Sequence, residues 1–128
     1  MQIDVDGGSF IENPGKKQRF VRGYFSVLDG KTGKLIHFEK NIGDVWSGVS
    51  EYMAIKWAVE NIISRPLKIT SDCRTAMKWA NKGANTKLHK FPKLNLIGVS
   101  LEYKHNNSAD IWNAKNWSPK FIKGYAHR

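Results

Sequence analysis

The sequence predicts an α/β domain: a five-stranded mixed sheet with helices on its faces, in the element order βββαβαβα. Three observations carry this. A strand-like run rich in aromatic and β-branched residues at 18–28 is followed by the turn Asp29-Gly30-Lys31-Thr32-Gly33 and a second such run, which makes an antiparallel meander. Helical windows then alternate with two apolar, strand-like runs, the pattern of βαβ units. The 128 residues suffice for one domain, and 41% of them are hydrophobic, enough for a core without disulfides or structural metals.

The elements follow in order. Residues 1–6 alternate, with Ile3 and Val5 on one side and Gln2, Asp4 and Asp6 on the other. Residues 7–17 hold Gly7, Gly8, Asn13, Pro14 and Gly15 and read as a loop, so Asp6 closes the first strand. Residues 18–28 and 34–40 form the hairpin. Residues 47–63 read as a helix that is apolar on most faces, with Lys56 and Glu60 at i, i+4 marking its outside and Pro66 stopping it. Residues 67–71 are a short strand, and 73–82 a second helix ended by Gly83. Residues 84–95 read as a basic loop with Lys87, His89, Lys90 and Lys93, and 96–104 as the fifth strand. A last helix spans about 108–117. The domain is therefore expected over 1–118, with a basic tail at 119–128 that has no assigned place. Trp57, Trp79, Trp112 and Trp117 read as packing residues.

Charge narrows the function. Twenty-one Lys and Arg oppose eleven Asp and Glu, for a net charge of +10. A small domain this basic points to a polyanionic partner, above all nucleic acid. One cysteine, Cys73, excludes an internal disulfide framework and a cysteine-based zinc cluster, and fits a reducing compartment. No run approaches the ~20 apolar residues of a membrane span, and the acidic start MQIDVD is unlike a signal peptide. A cytoplasmic protein with no membrane partner is the expectation.

Four of the eleven acids stand apart. Asp6 and Asp72 each close a strand, and Asp110 lies in the first turn of the last helix. Turn chemistry before Gly7, an N-cap at Asp72 and the helix dipole at Asp110 are the local alternatives. Glu51 has Ala54, Ile55 and Ala58 at i+3, i+4 and i+7, so it lies on the apolar stripe, where an ionised carboxylate needs a cationic partner such as a lysine or a bound cation. In a βαβ sheet the carboxyl ends of parallel strands line one edge, where these folds place their sites. Asp6, Glu51, Asp72 and Asp110 converge there in this topology. Oxygen-only ligands of this kind suit Mg²⁺ or Mn²⁺, and a pair of such ions forms a clamp for phosphodiester displacement.

Four motifs now bear on the reading. They are Asp6-Gly7-Gly8-Ser9 with Asn13-Pro14-Gly15, Ser50-Glu51-Tyr52-Met53-Ala54-Ile55, Thr70-Ser71-Asp72-Cys73, and Asn106-Asn107-Ser108-Ala109-Asp110. In this order and spacing the chain resembles the type 1 ribonuclease H family, in a short form with a reduced basic protrusion. The resemblance covers the chain from Ile3 to about Trp117. It implies an RNase H-like fold and a metal-dependent endoribonuclease, ribonuclease H, that hydrolyses the RNA strand of an RNA·DNA hybrid with two Mg²⁺ ions, Mn²⁺ substituting, and leaves 5′-phosphate ends. It implies Asp6, Glu51, Asp72 and Asp110 as metal ligands, and His105 as the family's loop histidine. Only four residues separate His105 from Asp110, fewer than the family's usual loop. Gly7, Ser9 and Asn13 would meet the nucleic acid. Ser47 and Gly48 stand where the family often has asparagines that touch the hybrid, and Arg74 stands in place of a glutamine. Lys87, Lys90 and Lys93 would grip the DNA strand in place of the missing protrusion. A monomer is expected. The alternatives are an RNase H-fold nucleic-acid-binding module without turnover, and a DNA-directed nuclease of the same superfold. The presence of all four acids speaks against the first. The Asn-Pro-Gly loop and the Asn-x-x-Ala-Asp segment speak against the second.

Overall fold

A computed structural model describes residues 1–12, 20–40, 42–43, 46–86, 89–116 and 126–127. Strands β1 (Gln2–Glu12), β2 (Phe20–Asp29) and β3 (Leu35–Lys40) form the meander. Helix α1 (Ser47–Asn61), β4 (Leu67–Ser71), α2 (Arg74–Lys82), β7 (Val99–Tyr103) and α3 (Ser108–Asn116) follow. Two short pairs of residues, β5 (Ala84–Asn85) and β6 (Lys90–Phe91), form a separate hairpin, and β8 (Ala126–His127) is the last strand. The sheet order is β3-β2-β1-β4-β7. The meander is antiparallel, whereas β1, β4 and β7 are parallel. This is the five-stranded mixed sheet that the sequence predicts.

Alternation along β1 sorts the two faces. Ile3 and Val5 are fully buried with Phe25, Val27, Leu67 and Ile69 beneath α1 and α2. Burying these side chains, at about 1.5–3 kcal/mol each, is the main term holding the helices to this face. Asp4, Asp6 and Gly8 point to the opposite face, where α3 packs on β1 and β2 and Trp112 meets the Phe38 ring at 5.2 Å. The acids of β1 therefore sit under α3.

Several boundaries differ from the sequence reading. β1 does not stop at Asp6 but continues through Gly7 and Gly8 to Glu12, paired with β2 throughout. The two glycines are strand residues because of what lies over them. A Cβ at Gly7 would come within 2.5 Å of the Ser50 backbone, and one at Gly8 within 2.5 Å of the Tyr24 hydroxyl. The predicted 84–95 loop contains the β5–β6 hairpin, anchored by Phe91, which is buried and stacks on Trp79 at 4.2 Å. Strands of two residues carry no periodicity to read. β7 starts at Val99, not at residue 96, because Gly98 takes a left-handed φ of 74° and turns the chain. Of the 119–128 tail, residues 126 and 127 rejoin the sheet as β8 against Phe10 and Ile11. Among the described residues no helix is long and apolar enough to cross a membrane.

Candidate active site

The site begins where β1 and β4 part. Their parallel pairing covers Gln2 to Asp4 and ends at the Asp4–Thr70 pair. Beyond it the Val5 and Thr70 carbonyl oxygens both border the gap between the strands. The Asn107 side chain fills that gap, with Nδ2 3.1 Å from both oxygens, and it is fully buried. Asn107 and Asp110 also form a reciprocal cap at the start of α3. The Asp110 N–H donates to Asn107 Oδ1 at 3.0 Å, and the Asn107 N–H to Asp110 Oδ2 at 3.3 Å.

Asp4 holds the same helix start. It is buried, and it accepts from Thr70 Oγ1 at 2.7 Å, Ser108 Oγ at 2.7 Å and the Ser108 N–H at 3.1 Å. Burial alone would raise its carboxyl, but these hydrogen bonds outweigh burial and hold it below the usual carboxylate range. Asp4 is thus an ionised tether from β1 to α3. Its sequence signal was a charge sharing a face with Asp6, and its donors lie far along the chain.

Four acids meet at this edge. Asp6 comes from β1, Asp72 from the end of β4, and Asp110 from α3; one carboxylate oxygen from each lies within 4.8 Å of the others. Glu51 arrives from α1 on the other face and is 5% exposed. It reaches the edge because Gly7 lets the α1 backbone close on β1, and the Gly7 N–H bonds to its carboxylate. Hydrogen bonds link it to Asp6 and Asp72, and Ser71 Oγ lies 3.5 Å from its Oε2. Glu51 thereby joins the cluster as a neighbour of the three aspartates rather than as a member of the 4.8 Å group.

The local alternatives for these acids fare differently. Asp72 is not the N-cap of α2: Cys73 is, its Sγ accepting from the Ala76 N–H at 3.4 Å. Asp6 is mid-strand and makes no turn. Asp110 does cap its helix, and it faces the cluster as well. Among the described residues, the other acids have ordinary partners: Glu39 with His37, Glu60 with Lys56, Glu102 with Lys68, and Asp29 with the N–H groups of its own turn.

Crowding dominates the electrostatics. Burial pushes the Asp110 carboxyl up to about 8, with Asp6 adding to the shift. Burial also raises Asp6 and Glu51 well above the usual range, reinforced by Glu51 at Asp6 and by Asp72 at Glu51. Asp72 rises for the same reasons, burial first and the Asp110 charge second. Such a cluster either retains protons or takes up a divalent cation. Its donor set, carboxylate oxygens only and drawn from four elements, fits Mg²⁺ or Mn²⁺.

The other predicted site residues fall around this centre. His105 is exposed in the turn after β7 and lies outside the 4.8 Å group. Residues 104–107 are taken up in reaching α3. Gly7 and Ser9 are buried. Ser47 and Gly48 open α1 half-buried, with Gly48 facing the Trp79 ring. Arg74 is exposed, its guanidinium 3.9 Å above the Tyr103 ring centre. Lys90 and Lys93 are exposed on either side of the buried Phe91. Asn13, Lys87 and Trp117 lie outside the described residues. Trp57 stacks on His37 at 4.1 Å, so Trp57, Trp79 and Trp112 are packing residues as expected. Sequence reasoning missed Asn113, whose Nδ2 lies 2.7 Å from Asp6 Oδ2. The signal was its i+3 spacing from Asp110.

No protein-family model matches the chain, and no curated protein does. Solved structures do. The solution structure of the prototype foamy virus (PFV) RNase H domain matches at 15% identity and a TM-score of 0.50, over 82% of this chain and 78% of that one. The native prototype foamy virus protease-reverse transcriptase matches at 14% identity and a TM-score of 0.51, over 80% of this chain. A CSH mutant of it matches at 14% and 0.52, over 90%. The chain spans 17% and 19% of those two longer proteins. The fold is RNase H-like.

Proposed function

We propose that the protein is a ribonuclease H: an endonuclease that hydrolyses the RNA strand of RNA·DNA hybrids with two divalent cations, Mg²⁺ or Mn²⁺, leaving 5′-phosphate ends and acting as a monomer. The observation that carries the reading is the convergence of Asp6, Asp72 and Asp110 oxygens within 4.8 Å, with Glu51 hydrogen-bonded beside them. Four desolvated carboxylates in a protein of net charge +10 are hard to account for unless a cation is their partner. An anionic cluster by itself repels a phosphodiester backbone, so a pure nucleic-acid binder gains nothing from it.

The Asp6, Asp72 and Asp110 carboxylates would hold the cations, with Glu51 joining them from α1. Cations bound there supply a lowered pKa for the attacking water and charge stabilisation for the departing oxygen. The chain's own part is geometric. Asn107 and Asp4 lock the start of α3 to β1 and β4, which sets Asp110 against Asp6. Arg74 and Tyr103, exposed beside Asp72, are suited to meet a sugar or phosphate of the substrate. Lys90 and Lys93, with Lys87, would carry the duplex electrostatically.

One assay tests this. Labelled RNA·DNA hybrid, double-stranded RNA, double-stranded DNA and single strands are each incubated with Mg²⁺, Mn²⁺ or EDTA. Cleavage of the RNA strand of the hybrid with either metal, abolished by EDTA, is the expected result. Undiminished cleavage in excess EDTA rejects the metal mechanism. Absence of turnover with both metals points to a binding module, and preferential cleavage of DNA to a DNA-directed nuclease.

A further inference from the structure

Asn113 lies one turn beyond Asp110 on α3, so the two share a helix face. It is 3% exposed. Its Nδ2 donates to Asp6 Oδ2 at 2.7 Å and approaches the Asp6 carbonyl oxygen at 3.5 Å. Its Oδ1 is buried with no hydrogen-bond partner among the described residues. A buried amide oxygen without a donor is unfavourable. Packing alone would therefore prefer a leucine, which is of similar size and has no polar atom. What the asparagine has and a leucine lacks is an N–H directed at one carboxylate of the acidic cluster.

We infer that Asn113 is a positioning residue of the acidic centre, whose amide holds the Asp6 carboxylate in the orientation in which it meets a divalent cation. The terminal torsion of an aspartate is broad and nearly two-fold, so an unheld carboxylate samples many planes. A 2.7 Å bond to one oxygen selects a plane. The amide has only donors on that side, so it also favours the ionised carboxylate a cation requires. One helix thus contributes twice: Asp110 as a ligand, and Asn113 as the group that orients a ligand on β1. Outer residues of this kind typically change metal affinity or activity by about 10–100-fold.

The inference rests on the metal-centre reading, and the experiment separates the two. The full chain, Asn113→Leu, Asn113→Ala and Asp110→Asn are melted without metal and across a Mg²⁺ titration, and hybrid cleavage gives kcat and KM. Asn113→Leu removes the unpartnered Oδ1 together with the bond to Asp6, two effects of opposite sign, so its metal-free melt is expected near the parent's. The Mg²⁺ midpoint of its thermal shift is expected to rise by about 10–100-fold, with kcat falling and KM for the hybrid holding. Asn113→Ala should show the same midpoint, and it carries the comparison if the leucine variant does not fold. Asp110→Asn should lose most of the Mg²⁺ shift. If Asp110→Asn keeps the parent's shift, the metal-centre reading falls and this inference with it. If Asp110→Asn loses it while the Asn113 variants keep the parent's midpoint and kcat, Asn113 is a packing residue and the inference alone is overturned.

Discussion

Asp110 is where local and long-range demands on a single carboxyl are clearest. It caps α3 through Asn107, and its proton affinity is raised by burial first and by Asp6 second, while hydrogen bonds from Asn107 and Asp72 work against the rise. The sign of the pH effect follows. A carboxyl held near 8 when folded and near 3.8 when unfolded binds its proton more tightly in the folded state. Its contribution to stability is complete below the unfolded value and is lost as pH rises through about 8. Asp6, Glu51 and Asp72 are shifted the same way. The metal-free melting temperature should therefore fall, by on the order of 5 °C, between pH 5 and pH 9. Saturating Mg²⁺ should flatten that fall, and calorimetry at several pH values with and without the ion checks it. Asp4 has the opposite sign: its stabilisation is present above the ordinary carboxylate value and is lost on acidification. Asp72 offers a second test at this scale. Cys73 caps α2, so Asp72→Asn disturbs no cap. The variant should be at least as stable as the parent without metal, because one like charge is gone. It should lose more than the ~100-fold in activity that outer-shell substitutions reach. Thermal melts beside one cleavage assay decide between this and a merely structural aspartate.

Helix α3 illustrates how an element can be docked by polar groups. Only Ala109 and Asn113 are buried along its length, and Ile111 faces solvent. Its start is held by Asn107 across the β1–β4 gap and by Ser108 on Asp4. Replacing Asp4 by Asn turns an amide N–H₂ toward the donors of Thr70 and Ser108. Losing charge-assisted bonds to a buried carboxylate costs about 2–3 kcal/mol. We expect Asp4→Asn to lower the urea midpoint accordingly. Amides of α3 should exchange faster than those of β1, because the helix has little apolar area to keep it in place. Unchanged exchange in α3 would mean that the Phe38–Trp112 contact, not Asp4, holds the helix. Helix α1 follows the other rule. It buries Ala54, Ile55 and Ala58 on the sheet and carries Glu51 to the edge as part of an apolar interface.

At the scale of the whole molecule the charge is divided. The acids gather at the carboxyl edge of the parallel strands, while the net charge of the chain is +10. Lys90 and Lys93 project from the β6 region on either side of Phe91, whose ring is fixed by Trp79 and Tyr52. Replacing Lys87, Lys90 and Lys93 together by Ala should weaken hybrid binding and flatten its salt dependence. The log–log slope should decrease by about 0.9 for each phosphate that the variant no longer neutralises. Turnover at saturating hybrid should hold, because Lys90 lies on β6 and Lys93 two residues beyond it, away from the elements that carry the four acids. Binding isotherms at several salt concentrations check it; an unchanged slope would leave the hairpin as solvated surface.

The sequence by itself determined the order and kind of the main elements. Apolar residues repeat with a period of two along Ile3 and Val5, and the interior of α1 is apolar almost all round; both are local properties. It also pointed Asp6 and Asp72 to one edge through the parallel strands that carry them, although Asp6 lies mid-strand near the point where β1 and β4 part and not at a strand end. The tertiary structure alone decided the rest. Gly7 and Gly8 read as a loop until the Ser50 backbone and the Tyr24 ring are seen above them. Asp4 finds its donors 66 and 104 residues away, and Asn113 finds Asp6 at a separation of 107. Those meetings depend on strand register and on where β1 and β4 part, which no window of neighbouring residues reports. His105 is outside the 4.8 Å group and lies in the short turn that joins β7 to α3.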